Sequence, residues 1–192
     1  FIRTFNVIDT KDTIASMQAL IDELGGLDLM VLSSGIGFLN EELDFDFEER
    51  LIQVNVTGFT NLINWTYQFF ESQNSGHLVA ISSIAGLRGS ARAAAYHASK
   101  AYQSNYIEGL QQRVEKRKQN ITITNIRPGF VKTALLDGGD FFWAMPVDRA
   151  VYQICNAIRK KKKEVFVTRR WKFAAFAMKI TPSFIYNKMN FT

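Results

Sequence analysis

With 192 residues, 47% of them hydrophobic and 13% aromatic, the chain is long enough for one domain with a substantial core and too apolar for a disordered segment. A formal net charge of +5 suits a phosphorylated cofactor as readily as nucleic acid or a membrane surface, so charge alone selects none of them. No run approaches the roughly 18 apolar residues of a membrane-spanning helix. The single cysteine excludes an internal disulfide; Cys155 lies in an apolar helical pattern, VYQICNAI, which predicts a buried, reduced thiol and a cytoplasmic setting.

Strand and helix signals alternate along the chain. Residues 5–8, FNVI, read as a short buried strand. They precede a helix that Asp9, Thr10 or Asp12 can cap, with Ile14, Met17, Leu20, Ile21 and Leu24 at helical spacing until Gly25 and Gly26 stop it. LDLMVLSSG, 27–35, reads as a strand buried on both faces. A long helix is predicted over 47–70, a strand over 77–83, a helix over 94–118 and a strand over 121–129. A helix over 147–160, a short strand over 164–168 and a last helix over 169–180 complete the series. Strands separated by helices of this length imply βαβ crossovers, hence an α/β fold with a doubly wound parallel sheet covered by helices on both faces. One domain, 1–192, is expected, in which 165–192 form a basic and apolar C-terminal extension.

In such a sheet ligands bind beyond the carboxyl ends of the strands. Ser33, Ser34 and Gly35 follow one strand, Ser82 and Ser83 the next, Pro128 and Gly129 a third. The stretch YHASK, 96–100, sets Tyr96 and Lys100 one helical turn apart on a shared face. A lysine beside a phenol favours the phenolate and lowers its pKa, one way to build a general acid/base. The same pair is also compatible with an amphipathic surface. His97 follows Tyr96 by one residue and faces elsewhere.

Four motifs in order, VNVTG (54–58), ISSIAG (81–86), YHASK (96–100) and RPGFVKT (127–133), with a step of 13 residues from Ser83 to Tyr96, resemble the short-chain dehydrogenase/reductase family. The likeness runs from Asp9 to at least Thr133. It implies a Rossmann-type sheet and a catalytic set in which Tyr96 is the general acid/base. Lys100 would tune the phenol and hold the nicotinamide ribose, Ser83 would hold the substrate oxygen, and Asn55 would anchor a water connecting Lys100 to solvent. Asp9 matches the family's acidic residue at the adenine ring, with a helix N-cap as its alternative. Ser33, Ser34 and Gly35 stand where the family has an Asn-Ala-Gly turn, and Ser33 in place of asparagine requires different hydrogen bonding between strands. Pro128, Gly129, Val131 and Thr133 match the loop at the nicotinamide carboxamide and phosphates.

The resemblance further implies NAD or NADP, with the basic balance tilting the choice slightly to NADP, a small-molecule carbonyl or alcohol substrate, and a homodimer or homotetramer. It implies no nucleic-acid partner. Phe141, Phe142, Trp143 and Met145 fall in the family's variable substrate loop and point to an apolar substrate. The family's first strand and glycine-rich pyrophosphate turn do not occur in these 192 residues. The expectation is therefore an intact protein with roughly 50 to 60 further N-terminal residues, about one and a half βαβ units. Two other readings remain open. A catalytically silent scaffold would explain the missing turn. A sugar-nucleotide epimerase or dehydratase would share Tyr96 and Lys100, against which stand Pro128, Gly129 and the short C-terminal part. Arg159 to Lys163 read as a solvated cationic helix end. The segment 169–180 reads as a pocket lid or packing helix, with membrane-surface contact less favoured.

Overall fold

The computed structural model describes residues 1–133, 143–168 and 170–188. Its centre is a parallel sheet of β1 (Leu29–Leu32), β2 (Gly76–Ile81), β3 (Ile121–Pro128) and β4 (Glu164–Val167), in the order β1-β2-β3-β4. The helices are α1 (Thr10–Leu24), α2 (Phe45–Ile52), α3 (Phe59–Gln73), α4 (Ala94–Arg117), α5 (Val147–Arg159), α6 (Arg170–Ile180) and α7 (Ser183–Tyr186). A π-helical segment, Gln53–Gly58, joins α2 to α3 without a break in the helix, and a 3-10 turn, Ile84–Leu87, precedes α4.

Strand alternation feeds two cores. Leu78, Ala80, Ile121 and Ile123 pack against Phe59, Leu62, Ile63, Tyr67 and Phe70 of α3 and Ile107 of α4. Val79 and Ile126 point the other way and meet Val167 of β4 with Ala150 and Ala157 of α5. The two-residue period thus covers both faces, which is the doubly wound arrangement expected. Each crossover returns the chain to the same end of the sheet, so the loops after β1, β2 and β3 gather at the carboxyl edge.

Local chemistry sets the helix ends. The Asp9 carboxylate accepts from the Asp12 amide at 3.0 Å, and α1 stops at Gly25, whose φ of 77° needs no Cβ. Three expectations are corrected. Among the described residues, 5–8 form no strand, since none of β1 to β4 pairs with them; Phe5 and Val7 instead pack beside α3. β1 is not buried on both faces: it ends the described sheet, with Leu29 and Val31 exposed. Cys155 is exposed, since the buried stripe of α5 runs through Ala150, Ile154 and Ala157, and Cys155 lies a hundred or so degrees off it. Among the described residues no helix is long and apolar enough to cross a membrane.

Candidate active site

At the end of β2 the two serines separate by role. Ser82 is buried, donating to Asn125 Oδ1 at 2.6 Å and to the Ile126 carbonyl, so it ties β2 to β3. Ser83 caps the 3-10 turn by accepting from the Ala85 amide at 3.1 Å. That turn lies against α4 so closely that a Cβ on Gly86 would stand 2.5 Å from the Lys100 carbonyl carbon. The contact brings Ser83 to the start of α4, where its hydroxyl interacts with the Tyr96 phenol.

Tyr96 and Lys100 share a face of α4, with the ammonium 5.8 Å from the Tyr96 ring centroid. Burial pushes the phenol pKa above its ordinary range, and Ser83 opposes this only in part. The expected depression by Lys100 is therefore corrected: desolvation disfavours the phenolate here more than its neighbours favour it. Burial also lowers Lys100, to about 8. Its ammonium, in a residue only 6% exposed, donates to Gln103 Oε1 at 2.9 Å.

Gln103 closes the link to Asn55 by donating from Nε2 to the Asn55 carbonyl at 2.9 Å. A buried side chain, Gln103, thus links the Asn55 backbone to Lys100. Asn55 sits in the π-helical segment, fully buried, and its amide clamps the loop after β1. Oδ1 accepts from the Ile36 amide at 2.9 Å, while Nδ2 donates to the Ile36 carbonyl at 2.7 Å and to Ser99 Oγ at 3.1 Å. Ser99 Oγ in turn donates to the Tyr96 carbonyl at 2.8 Å. One network therefore holds that loop, the π segment and the first turns of α4 together.

The loop contributes two close approaches. A Cβ on Gly35 would lie 3.3 Å from Asn55 Oδ1 and 3.4 Å from Lys100 Nζ; one on Gly37 would strike the Tyr96 ring at 2.7 Å. Gln103 and Gly37 were missed by sequence reading. The signal for Gln103 was its place three residues after Lys100, on the same helix face; for Gly37 there was none short of the tertiary contact.

The other candidates fall at the same edge with varied roles. Asp9 is the N-cap of α1. Ser33, Ser34 and Gly35 are exposed beyond β1. Pro128 ends β3, and the Gly129 amide donates to the Val167 carbonyl. Val131 bridges to Met145, and Thr133 is exposed one turn on. Trp171 of α6 lies over Gly129, where a Cβ would meet the indole nitrogen at 2.1 Å. Trp143 is packed edge-to-face on Trp171, whereas Phe141 and Phe142 lie outside the described residues. His97 faces away, with Nδ1 2.7 Å from the Arg88 carbonyl. Among the described residues no group of three His, Cys, Asp or Glu could hold a metal.

The family model described as short chain dehydrogenase matches residues 1–138. The chain belongs to the short-chain dehydrogenase/reductase family. Within that family it is 39% identical over 138 residues to an uncharacterised oxidoreductase of Myxococcus xanthus, covering 71% of this chain and 54% of that protein. It is 30% identical over 139 residues to an uncharacterised oxidoreductase of Staphylococcus epidermidis, covering 70% of this chain and 59% of that one. This short-chain dehydrogenase/reductase chain thus spans little more than half the length of these curated relatives. Among solved structures it resembles a short-chain dehydrogenase/reductase of Burkholderia phymatum in complex with NAD, with a TM-score of 0.79, 18% identity and coverage of 100% of this chain and 77% of that one. A short-chain dehydrogenase of Burkholderia cenocepacia in complex with NADP gives a TM-score of 0.79 at 16% identity, covering 95% and 77%. These likenesses establish the fold.

Proposed function

We propose that the protein is an NAD(P)-dependent oxidoreductase that interconverts a carbonyl and a secondary alcohol, with Tyr96 as general acid/base. The observation that carries the reading is the convergence of Ser83, Tyr96, Lys100 and Asn55 from three different segments, the turn after β2, α4 and the π segment, on one edge of the sheet. The NAD and NADP held by the two Burkholderia structures support the cofactor class.

The residues fit the ribose and nicotinamide end of such a cofactor. Gly35 leaves open the space beside Asn55 Oδ1 and Lys100 Nζ that a side chain would fill. Lys100 holds a buried ammonium with more N–H groups than Gln103 takes, suited to ribose hydroxyls. Ser33, Ser34, Pro128, Gly129, Val131 and Thr133 would line the approach, Asp9 would stand toward the adenine end, and the basic balance favours NADP slightly. When bound, the nicotinamide supplies or accepts the hydride.

The chain's own residues handle the charge and the proton. Ser83 and Tyr96 hydroxyls donate toward one point, where a carbonyl oxygen becoming negative is stabilised. Tyr96, kept protonated by burial, gives up its proton in reduction and takes one in the reverse direction. Lys100, Gln103 and the Asn55 carbonyl fix the geometry behind it.

The test is titration of NADPH and NADH fluorescence on the protein from its complete reading frame, followed by a carbonyl and alcohol panel. Tyr96→Phe should bind the nucleotide as the native protein does and lose at least about a hundredfold in turnover. Absence of nucleotide binding, or turnover unaltered by Tyr96→Phe, would overturn the proposal.

A further inference from the structure

A helix on a protein surface ordinarily buries one apolar stripe and shows water a polar one. α6 does otherwise. Trp171 and Ala175 are buried and Met178 half-buried, a stripe at i, i+4 and i+7 that faces the protein. Phe173, Phe176 and Ile180 form a second stripe at i, i+3 and i+7, exposed by 80%, 66% and 64%, and Phe184 of α7 extends it at 70%.

The outward face is fixed in place. Arg88 donates to the carbonyls of Met178 at 3.2 Å and Thr181 at 2.9 Å, and its guanidinium stacks 4.2 Å from the Tyr186 ring centroid. Tyr186 returns a hydrogen bond to the Gly89 carbonyl at 2.7 Å. Rotating the second stripe inward would break these contacts and expose Trp171.

Charge identifies the occupant. After Glu164 the chain has no carboxylate side chain and five cations: Arg169, Arg170, Lys172, Lys179 and Lys188. The other 18 cations equal the 18 acidic residues, so the whole formal charge of +5 resides in the last 28 residues. A second copy of the chain seated on this stripe would bring Lys172 and Lys179 against like charges. An anionic lipid surface accepts both the aromatic stripe and the cations that flank it. An 11-residue helix is about 16 Å long, against about 30 Å of hydrocarbon, so it lies in the interface plane and does not cross it.

We propose that α6 and α7 dock the protein on anionic phospholipid membranes, with Phe173, Phe176, Ile180 and Phe184 inserted among the acyl chains and Lys172 and Lys179 at the headgroups. Since Trp171 of the same helix packs over Gly129 beside the candidate active site, docking presents that edge of the sheet to the bilayer.

The test is flotation of the full-length protein with vesicles of phosphatidylcholine alone and of phosphatidylcholine with phosphatidylglycerol. Binding should require phosphatidylglycerol and weaken with salt. Lys172→Gln with Lys179→Gln should lose about 25-fold in partitioning, about fivefold for each cation. Phe173→Asp with Phe176→Asp should lose at least about tenfold, with unchanged circular dichroism and unchanged nucleotide binding. The proposal is overturned if the native protein stays with the lipid-free fraction at both compositions, or if the variants float as the native protein does, which would place binding in another segment. It is equally overturned if the phenylalanine variants leave flotation unchanged while turning an oligomer into a monomer on sedimentation, which would make the stripe a contact between copies. Because nucleotide binding is read separately, failure here leaves the oxidoreductase proposal standing.

Discussion

Replacing Gln103 by leucine removes an acceptor from a buried ammonium and a donor from a buried carbonyl while keeping the side chain's volume close to native. Burial already lowers Lys100 from the usual 10.5 to about 8. A cation with a lowered folded pKa disfavours the fold while it is protonated, so native stability rises as pH climbs from about 8 to about 10.5. Losing a hydrogen bond to a charged group costs about 1.5–3 kcal/mol, which is about 1 to 2 pKa units. Lys100 in the variant should therefore titrate between about pH 6 and 7. At pH 5.5 both proteins carry the buried charge, and Gln103→Leu should be less stable by that amount plus about 1 kcal/mol for the unpaired Asn55 carbonyl. At pH 9 both hold Lys100 mostly neutral, and only the second contribution should remain. Urea unfolding of both proteins across pH 5.5 to 9 measures the difference directly. A stability gap of equal size at both ends would refute the coupling between Gln103 and the Lys100 charge.

Gly37→Ala should destabilise the fold by about 1–3 kcal/mol through overpacking, and a Tyr96 ring displaced by about 1 Å should cost about a hundredfold in turnover; thermal unfolding and kcat separate the two. Asn55→Ala leaves the Ile36 amide and carbonyl and Ser99 without their partner, at a cost of about 3 kcal/mol. It should appear as a lower denaturant midpoint at constant m. Arg88→Ala should release α6 and α7 locally: amide exchange in Arg170–Ile180 should accelerate while β2 and β3 stay protected. Uniform acceleration would mean that Arg88 supports the whole fold.

The order of strands and helices was legible because hydrophobic period and turn residues are local properties, and the four catalytic candidates were named because their motifs, in order and spacing, resemble those of the short-chain dehydrogenase/reductase family. What escaped depends on distant packing. FNVI has the composition of a strand, but none of the described strands pairs with it, and a strand takes its backbone partners from a neighbour. Cys155 lies one residue from the inward-facing, partly buried Ile154 on α5, and one residue turns a helical side chain by about 100°. The direction of the Tyr96 shift rests on how deeply α4, the 3-10 turn and Gly37 enclose the ring, which the spacing from Lys100 does not contain. Gln103 looked like an ordinary helical polar residue until the π segment brought the Asn55 carbonyl within its reach.

The π segment has a mechanical consequence for how this fold can vary. Six residues in a wider turn advance the helix by less rotation than an α-helix of the same length, so α2 and α3 are set out of phase. Leu51 on one side and Phe59, Leu62 and Ile63 on the other can each reach the interior, while Asn55 between them turns to the loop. The segment works as a coupling between two shafts of different setting. Deleting one residue from it would restore a smoother helix and a better local hydrogen-bond pattern, yet would swing one of the two apolar faces, or Asn55, away from its target. Within this stretch the geometry of the candidate site is thus stored as a residue count, and insertions or deletions are a greater hazard to it than substitutions of similar size.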